Sequence, residues 1–423
     1  MPVHLARDLA GASRIIRTMA PSHRKSGYLP GFDGWRALAI LGVIMAHDKM
    51  WHVLGHTNVN FRGYGGYGVY LFFAISGILI CWRILEDEAA LGTFHLRSFY
   101  IRRLFRIQPA AWAYLFTIAA LILLGIVHER WHFWLGAFFL YQNFLWHGSR
   151  MHQMLQGGWF TGHFWTLAVE EHFYILLSLF LFFCRRHRIA VLGFTLLCFM
   201  AWQHWAKDHH YFSLDHSERR TYWALPYLLF PALCAMLLRV PEIYRAASRF
   251  LHPWVAFALT ALALAANQIH ESGRGSVFQW YTLAQSEEVL LFCFSFWVVA
   301  TMLHPRAWTT RLLETAPLRY LGRLSYSIYL WHLLFFSVTE PDPHITWRPL
   351  VAAGQQPWRY VSALAMAMLS YHLLEKPMIR LGHKLAPPAS PGHADLQVTP
   401  LDATATAQTG AAADPLQLYP VSK

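Results

Sequence analysis

The chain has 423 residues, 56% hydrophobic and 16% aromatic, with only 14% charged residues and a formal net charge of +12. Soluble domains hold about 25% charged residues. Repeated apolar runs of about 17–20 residues therefore exclude a single soluble core, and their lack of alternation excludes a β-barrel. An all-α, polytopic membrane bundle is predicted. The excess of Lys and Arg falls between the apolar runs, as membrane orientation requires, so no nucleic-acid partner is expected.

Residues 1–27 are basic and polar, with no apolar core before a cleavage site. They read as a cytoplasmic segment ahead of a first span that acts as the insertion signal. That span, near 34–52, carries Arg36 and His47 in an otherwise apolar run. Eleven residues make about three helical turns, which puts both side chains on one face about 17 Å apart. Ionisable groups at membrane depth are costly and point to function; snorkelling interfacial anchors are the structural alternative.

The second span, near 66–85, holds Ser76-Gly77 in mid-helix, which suits close helix packing or a direct role for Ser76. Arg103 and Arg106 stand i, i+3 before the third span, near 108–127. They are either positive-inside anchors or a clamp for a phosphorylated cytosolic ligand, because guanidinium forks match phosphate oxygens.

The run Phe133 to Trp146 is short and contains Gln142-Asn143. If it does not cross, every strongly basic loop falls on one side. Those loops include Arg24 and Lys25, Arg102 and Arg103, Arg185 and Arg186, Arg239, and Arg319 and Arg323. The run is therefore expected to be re-entrant or interfacial, giving ten crossings with both termini cytoplasmic.

The fourth span, near 165–184, opens with adjacent carboxylates, Glu170 and Glu171, about 100° apart on the helix. Glu170 shares a face with Thr166 and His163 and could orient an imidazole or balance a buried Arg. Spans near 189–205, 222–238, 252–268 and 286–303 follow. The ninth, near 320–337, carries a polar stripe of Ser325, Tyr329 and His332, with Tyr326 beside it. The last, near 358–374, closes on Glu375-Lys376-Pro377. Residues 385–423 are rich in Ala, Pro, Thr and Gly and read as a disordered tail.

The outer loops hold many histidines, yet only His128 and His132 have ligand-like spacing, so no metal is expected. The five cysteines lack paired spacing and read as buried thiols.

Taken together, the motifs resemble the acyltransferase-3 family of integral membrane acyltransferases. The matching blocks are Phe32-Asp33-Gly34-Trp35-Arg36-Ala37-Leu38-Ala39 with His47, Phe72-Phe73-Ala74-Ile75-Ser76-Gly77, and Arg103-x-x-Arg106-Ile107-x-Pro109. They continue with Trp165 to Tyr174, Leu321 to His332, and Leu374-Glu375-Lys376-Pro377. The blocks occur in the family's order across roughly residues 30–380. Two departures stand out: His172 replaces the family's usual Gln, and Tyr222 to Leu238 lacks its usual acidic residue.

The resemblance implies a membrane acyltransferase domain over 28–384 in a bacterial-type cytoplasmic (inner) membrane. It implies transfer of an acyl group, often acetyl, from cytosolic acyl-coenzyme A to a hydroxyl of a carbohydrate or lipid-linked envelope acceptor. Some relatives append a C-terminal esterase-like domain, for which the tail leaves no room. Arg36 and His47 take the place of the family's Arg-x10-His pair, and Arg103 and Arg106 that of its Arg-x-x-Arg pair. Coenzyme A phosphates are expected on Arg103 and Arg106, with His47 as general base. An acyl-His intermediate is the covalent alternative. Glu170 is the expected partner of an imidazole or Arg. Ser76, Tyr326, Tyr329 and His332 are candidates for substrate contact or for stabilising an oxyanion. A secondary transporter would instead show paired repeats with interrupted helices, and no such repeat is visible.

Overall fold

A computed structural model describes residues 29–48, 61–145, 158–209, 219–271, 287–339, 345 and 347–386. The expected cytoplasmic segment 1–27 and almost all of the tail 385–423 lie outside the described residues. The described residues are helical, with no strand among them. In chain order they form α1 (Phe32–His47), α2 (Phe61–Leu91), α3 (Leu96–Leu123), α4 (Trp131–Phe138), α5 (Phe164–Phe183) and α6 (Arg188–Asp208). There follow α7 (Thr221–Ala224), α8 (Pro226–Leu237), α9 (Pro241–Phe250), α10 (Pro253–Glu271) and α11 (Glu287–Leu303). The chain continues through α12 (Trp308–Leu313), α13 (Ala316–Phe336), α14 (Arg348–Ala353), α15 (Trp358–Ser370) and α16 (Lys376–Leu385).

Four stretches are long and apolar enough to cross a membrane: Gly66–Leu91, Leu96–Leu123, Phe164–Phe183 and Arg188–Ala206. The pair Thr221–Leu237 and Pro241–Phe250, bent by 107°, would make a fifth. Most other expected crossings are shorter here, while α13, at 21 residues, is long enough but less apolar. The 16 residues of α1 rise about 24 Å, less than the roughly 30 Å of a hydrocarbon core. The run expected to be re-entrant or interfacial is the eight-residue α4, followed by a 3₁₀ turn at Gln142–Phe144. At about 12 Å, α4 is far too short to cross.

Helix α1 lies between α2 and α13. Small residues permit this. A Cβ on Gly322 would meet the Asp33 carbonyl oxygen at 1.8 Å, and one on Gly77 would meet the Leu228 oxygen at 2.4 Å. The Ser76-Gly77 pair thus lets α2 approach α8, as the packing reading of that motif expects. Gly31 enters α1 with φ 84°, a left-handed conformation that disfavours any residue with a Cβ. Its N–H donates to Glu314, and Trp35 Nε1 donates to Thr301 Oγ1 at 3.0 Å, fixing α1 against α11. At the far end Asp48, wholly buried, accepts from Arg359 at 3.2 Å and from Gln356 at 3.2 Å. Both ends of α1 are therefore pinned by polar contacts, and Arg36 and His47 are carried on a rigid element.

One boundary differs from the sequence reading. Helix α3 begins at Leu96, so Arg103 and Arg106 lie inside it and not at its mouth. Pro109 sits in the helix interior, with Arg103 and Arg106 one to two turns before it.

Candidate active site

Two cavities meet between α1, α2, α3, α5 and α13. The first is a vestibule walled by Arg36, Arg83, Arg102, Arg103, Arg106 and Arg323, with Asp33, Asp87 and Glu375 as its acids. The second is a chamber walled by Ser76, Thr166, Glu170, Tyr174 and Tyr329 among apolar Val69, Phe72 and Phe73. Arg36, Arg103, Arg106, Ser325 and Tyr326 line both, so the arginines stand where one opens into the other. The i, i+3 spacing of Arg103 and Arg106 places both on that wall.

Charges in the vestibule are unevenly balanced. Arg36 pairs with Asp33 at 3.4 Å, Arg83 with Glu86 at 3.1 Å, and Arg102 with Asp87 at 2.7 Å. Among the described residues Arg103, Arg106 and Arg323 form no ion pair. The Arg103 guanidinium lies instead over the rings of Tyr174 at 4.9 Å and Phe99 at 5.8 Å. Sequence reasoning took Arg323 as one more orientation anchor. Its position on the vestibule wall depends on how α13 packs, which no spacing rule reveals.

In the chamber, Ser76 Oγ donates to Glu170 Oε1 at 2.9 Å and Tyr174 OH donates to Glu170 Oε2 at 3.0 Å. Both Glu170 oxygens are thus engaged by hydroxyls, and Arg103 and Arg36 lie within electrostatic reach. Of its two expected roles, this position fits balancing a buried Arg. Tyr326 OH donates to the Ile107 carbonyl at 2.7 Å, and Tyr329 OH to the His163 carbonyl at 2.7 Å. Ser76, Tyr326 and Tyr329 are therefore all committed donors here, and each must switch partner to serve an oxyanion.

Behind Tyr329, on the chamber wall, a group of imidazoles is packed. The rings of His47 and His332 are 4.9 Å apart, and those of His163 and His332 are 5.5 Å apart. Tyr329 lies 5.2 Å from His163 and 5.7 Å from His332, centroid to centroid. His47 Nδ1 is 2.9 Å from the Val43 carbonyl, and His332 Nδ1 is 2.7 Å from the Tyr329 carbonyl. A carbonyl only accepts, so Nδ1 carries a proton in both rings, and in the neutral tautomer Nε2 is the acceptor. Nε2 of His332 is buried without a hydrogen-bond partner among the described residues.

His163 joins this group, although helical phase alone aligned it with Glu170. The two do share a face, but seven residues separate them by about 10 Å along the axis. The turn before α5 is held from outside the spans by Glu129. This carboxylate accepts Phe160 N–H at 2.8 Å, Thr161 N–H at 3.1 Å and the Thr161 hydroxyl. Burial pushes its carboxyl up to about 7, against the opposing pull of those hydrogen bonds. Among the described residues no cluster of His, Cys, Asp and Glu has metal-holding geometry.

Adjoining cavities lined by arginines, with imidazoles packed behind one wall, could serve several chemistries. The acyltransferase domain family matches residues 29–371, which contain the whole chamber lining and all the vestibule lining except Glu375, Ile379 and His383. The chain belongs to this acyltransferase family. It is similar to the peptidoglycan O-acetyltransferase OatA of Listeria monocytogenes, 25% identical over 386 residues, which cover 84% of this chain and 56% of that one. A Bacillus subtilis protein with the provisional name peptidoglycan O-acetyltransferase YrhL is 26% identical over 378 residues, covering 84% of this chain and 56% of its own. The chain thus spans less than two thirds of the length of the curated relatives it matches. No solved structure matches it. Within this acyltransferase family's matched segment lie Arg36, His47, Arg103, Arg106, Glu170 and His332 alike.

Proposed function

We propose that the protein moves an acyl group, most simply acetyl, from cytosolic acyl-coenzyme A to a hydroxyl of a carbohydrate or other envelope acceptor. The observation that carries this reading is the arginine vestibule adjoining a chamber walled by Tyr329, whose ring packs against His163 and His332, with His47 next to His332. Membership of the acyltransferase family and the O-acetyltransferase names of similar proteins support it.

The phosphates dock on Arg103 and Arg106, whose charges have no ion-pair partner among the described residues. The pantetheine arm extends through the chamber. Nε2 of His47 takes the proton from the acceptor hydroxyl, whose oxygen attacks the thioester carbonyl. The C–S bond then breaks, and the imidazolium returns its proton to the departing thiolate. Glu170 holds Ser76 and Tyr174 in place and offsets Arg103. In this reading the bundle crosses the cytoplasmic membrane ten times, with the vestibule and both termini on the cytosolic side. Arg185, Arg186, Arg188 and Arg239 then also lie on that side.

The test is acyl transfer from radiolabelled acetyl-coenzyme A to envelope polysaccharide by membranes with and without the protein. Label entering the glycan fraction only when the protein is present is expected. Equal label in both membranes would refute the reading.

A further inference from the structure

The vestibule carries more unpaired charge than a diphosphate needs. Arg103 and Arg106 stand at the junction with the chamber, where the diphosphate of a bound donor would lie if its pantetheine entered the chamber. Arg323 lines the vestibule and does not line the chamber, so it lies further from the thioester end. It forms no ion pair among the described residues. Its Nε is buried and without a hydrogen-bond partner, and its guanidinium lies 5.8 Å from the Tyr320 ring centroid. A ring beneath a guanidinium holds the fork without using its donors.

We infer that Arg323 binds the 3′-phosphate of coenzyme A and makes the site select free coenzyme A thioesters over the phosphopantetheine arm of a carrier protein. The inference rests on the donor reading above. It follows from the order of the groups. In coenzyme A the 3′-phosphate lies beyond the diphosphate, on the side away from the pantetheine. In the protein Arg323 lines the vestibule alone, whereas Arg103 and Arg106 line both the vestibule and the chamber. A phosphate monoester also carries about −1.5 to −2 charges at pH 7, and the paired arginines Arg36, Arg83 and Arg102 are already offset by carboxylates. A carrier-protein arm has a single phosphate diester and would leave Arg323 unused.

The test is equilibrium binding of coenzyme A and of 3′-dephospho-coenzyme A to the full chain in nanodiscs. Wild type should bind coenzyme A roughly tenfold to a hundredfold more tightly, the range expected of one charge-assisted contact. Arg323→Gln should remove that gap while leaving 3′-dephospho-coenzyme A affinity within about twofold, which also shows the variant to be folded. Arg323→Lys should keep part of the gap. Equal affinities in wild type, or equal weakening of both nucleotides in Arg323→Gln, would overturn the assignment while leaving the donor reading intact. If wild type binds neither nucleotide, the donor reading falls and the assignment with it.

Discussion

Single residues divide into those whose chemistry is visible in the sequence and those placed only by packing. Arg36, His47 and Glu170 stand out because ionisable groups in apolar runs are rare and costly. His163 and Arg323 do not stand out, since a histidine at a helix start and an arginine between spans are ordinary there. Their meaning comes from His332, Tyr329 and the vestibule, which are remote in sequence. Glu129 is a further case: a loop carboxylate that proves to be buried against the turn leading into α5. Its carboxyl is raised from 4.5 to about 7. A raised acid holds its proton better in the folded state, so its contribution to stability is full below the unfolded pKa and is lost as pH rises through the folded one. The unfolding temperature of the purified protein should fall as pH rises from about 4.5 to about 7, and Glu129→Gln should flatten that fall. An unchanged slope in the variant would assign the titration elsewhere.

Among the elements, hydropathy locates the helices well and their ends less well. The starts near 165 and 189 agree with α5 and α6 to within a residue. The third span begins a full three turns earlier than hydropathy suggests, because Arg97, Arg102, Arg103 and Arg106 lower the apolar average without breaking the helix. Arginine is a good helix former, and here Arg102, Arg103 and Arg106 line a cavity. The far end of α1 depends on a contact no pattern could show, the buried pair of Asp48 with Arg359 on α15. Arg359→Met should destabilise the protein by about 3–5 kcal/mol, since it leaves a buried carboxylate without its cation. The added change Asp48→Asn should recover part of the loss. Thermal unfolding in detergent measures both, and an unchanged midpoint in Arg359→Met would show that the pair does not anchor α1.

At the scale of the whole molecule, the helices enclose a cationic vestibule and an adjoining chamber, with a group of imidazoles packed behind Tyr329. The all-α class follows from composition, and the family resemblance from six ordered blocks. The joining of the two cavities does not, because it depends on close approaches at Gly77 and Gly322 that set how α2 and α13 sit against their neighbours. The most direct test is the rate of acyl transfer from acetyl-coenzyme A by His47→Ala protein that is correctly inserted and still binds the donor. Loss of a general base costs typically 10²–10⁴-fold, and a fall of about that size with donor affinity unchanged is predicted. Transfer at the wild-type rate would contradict the account.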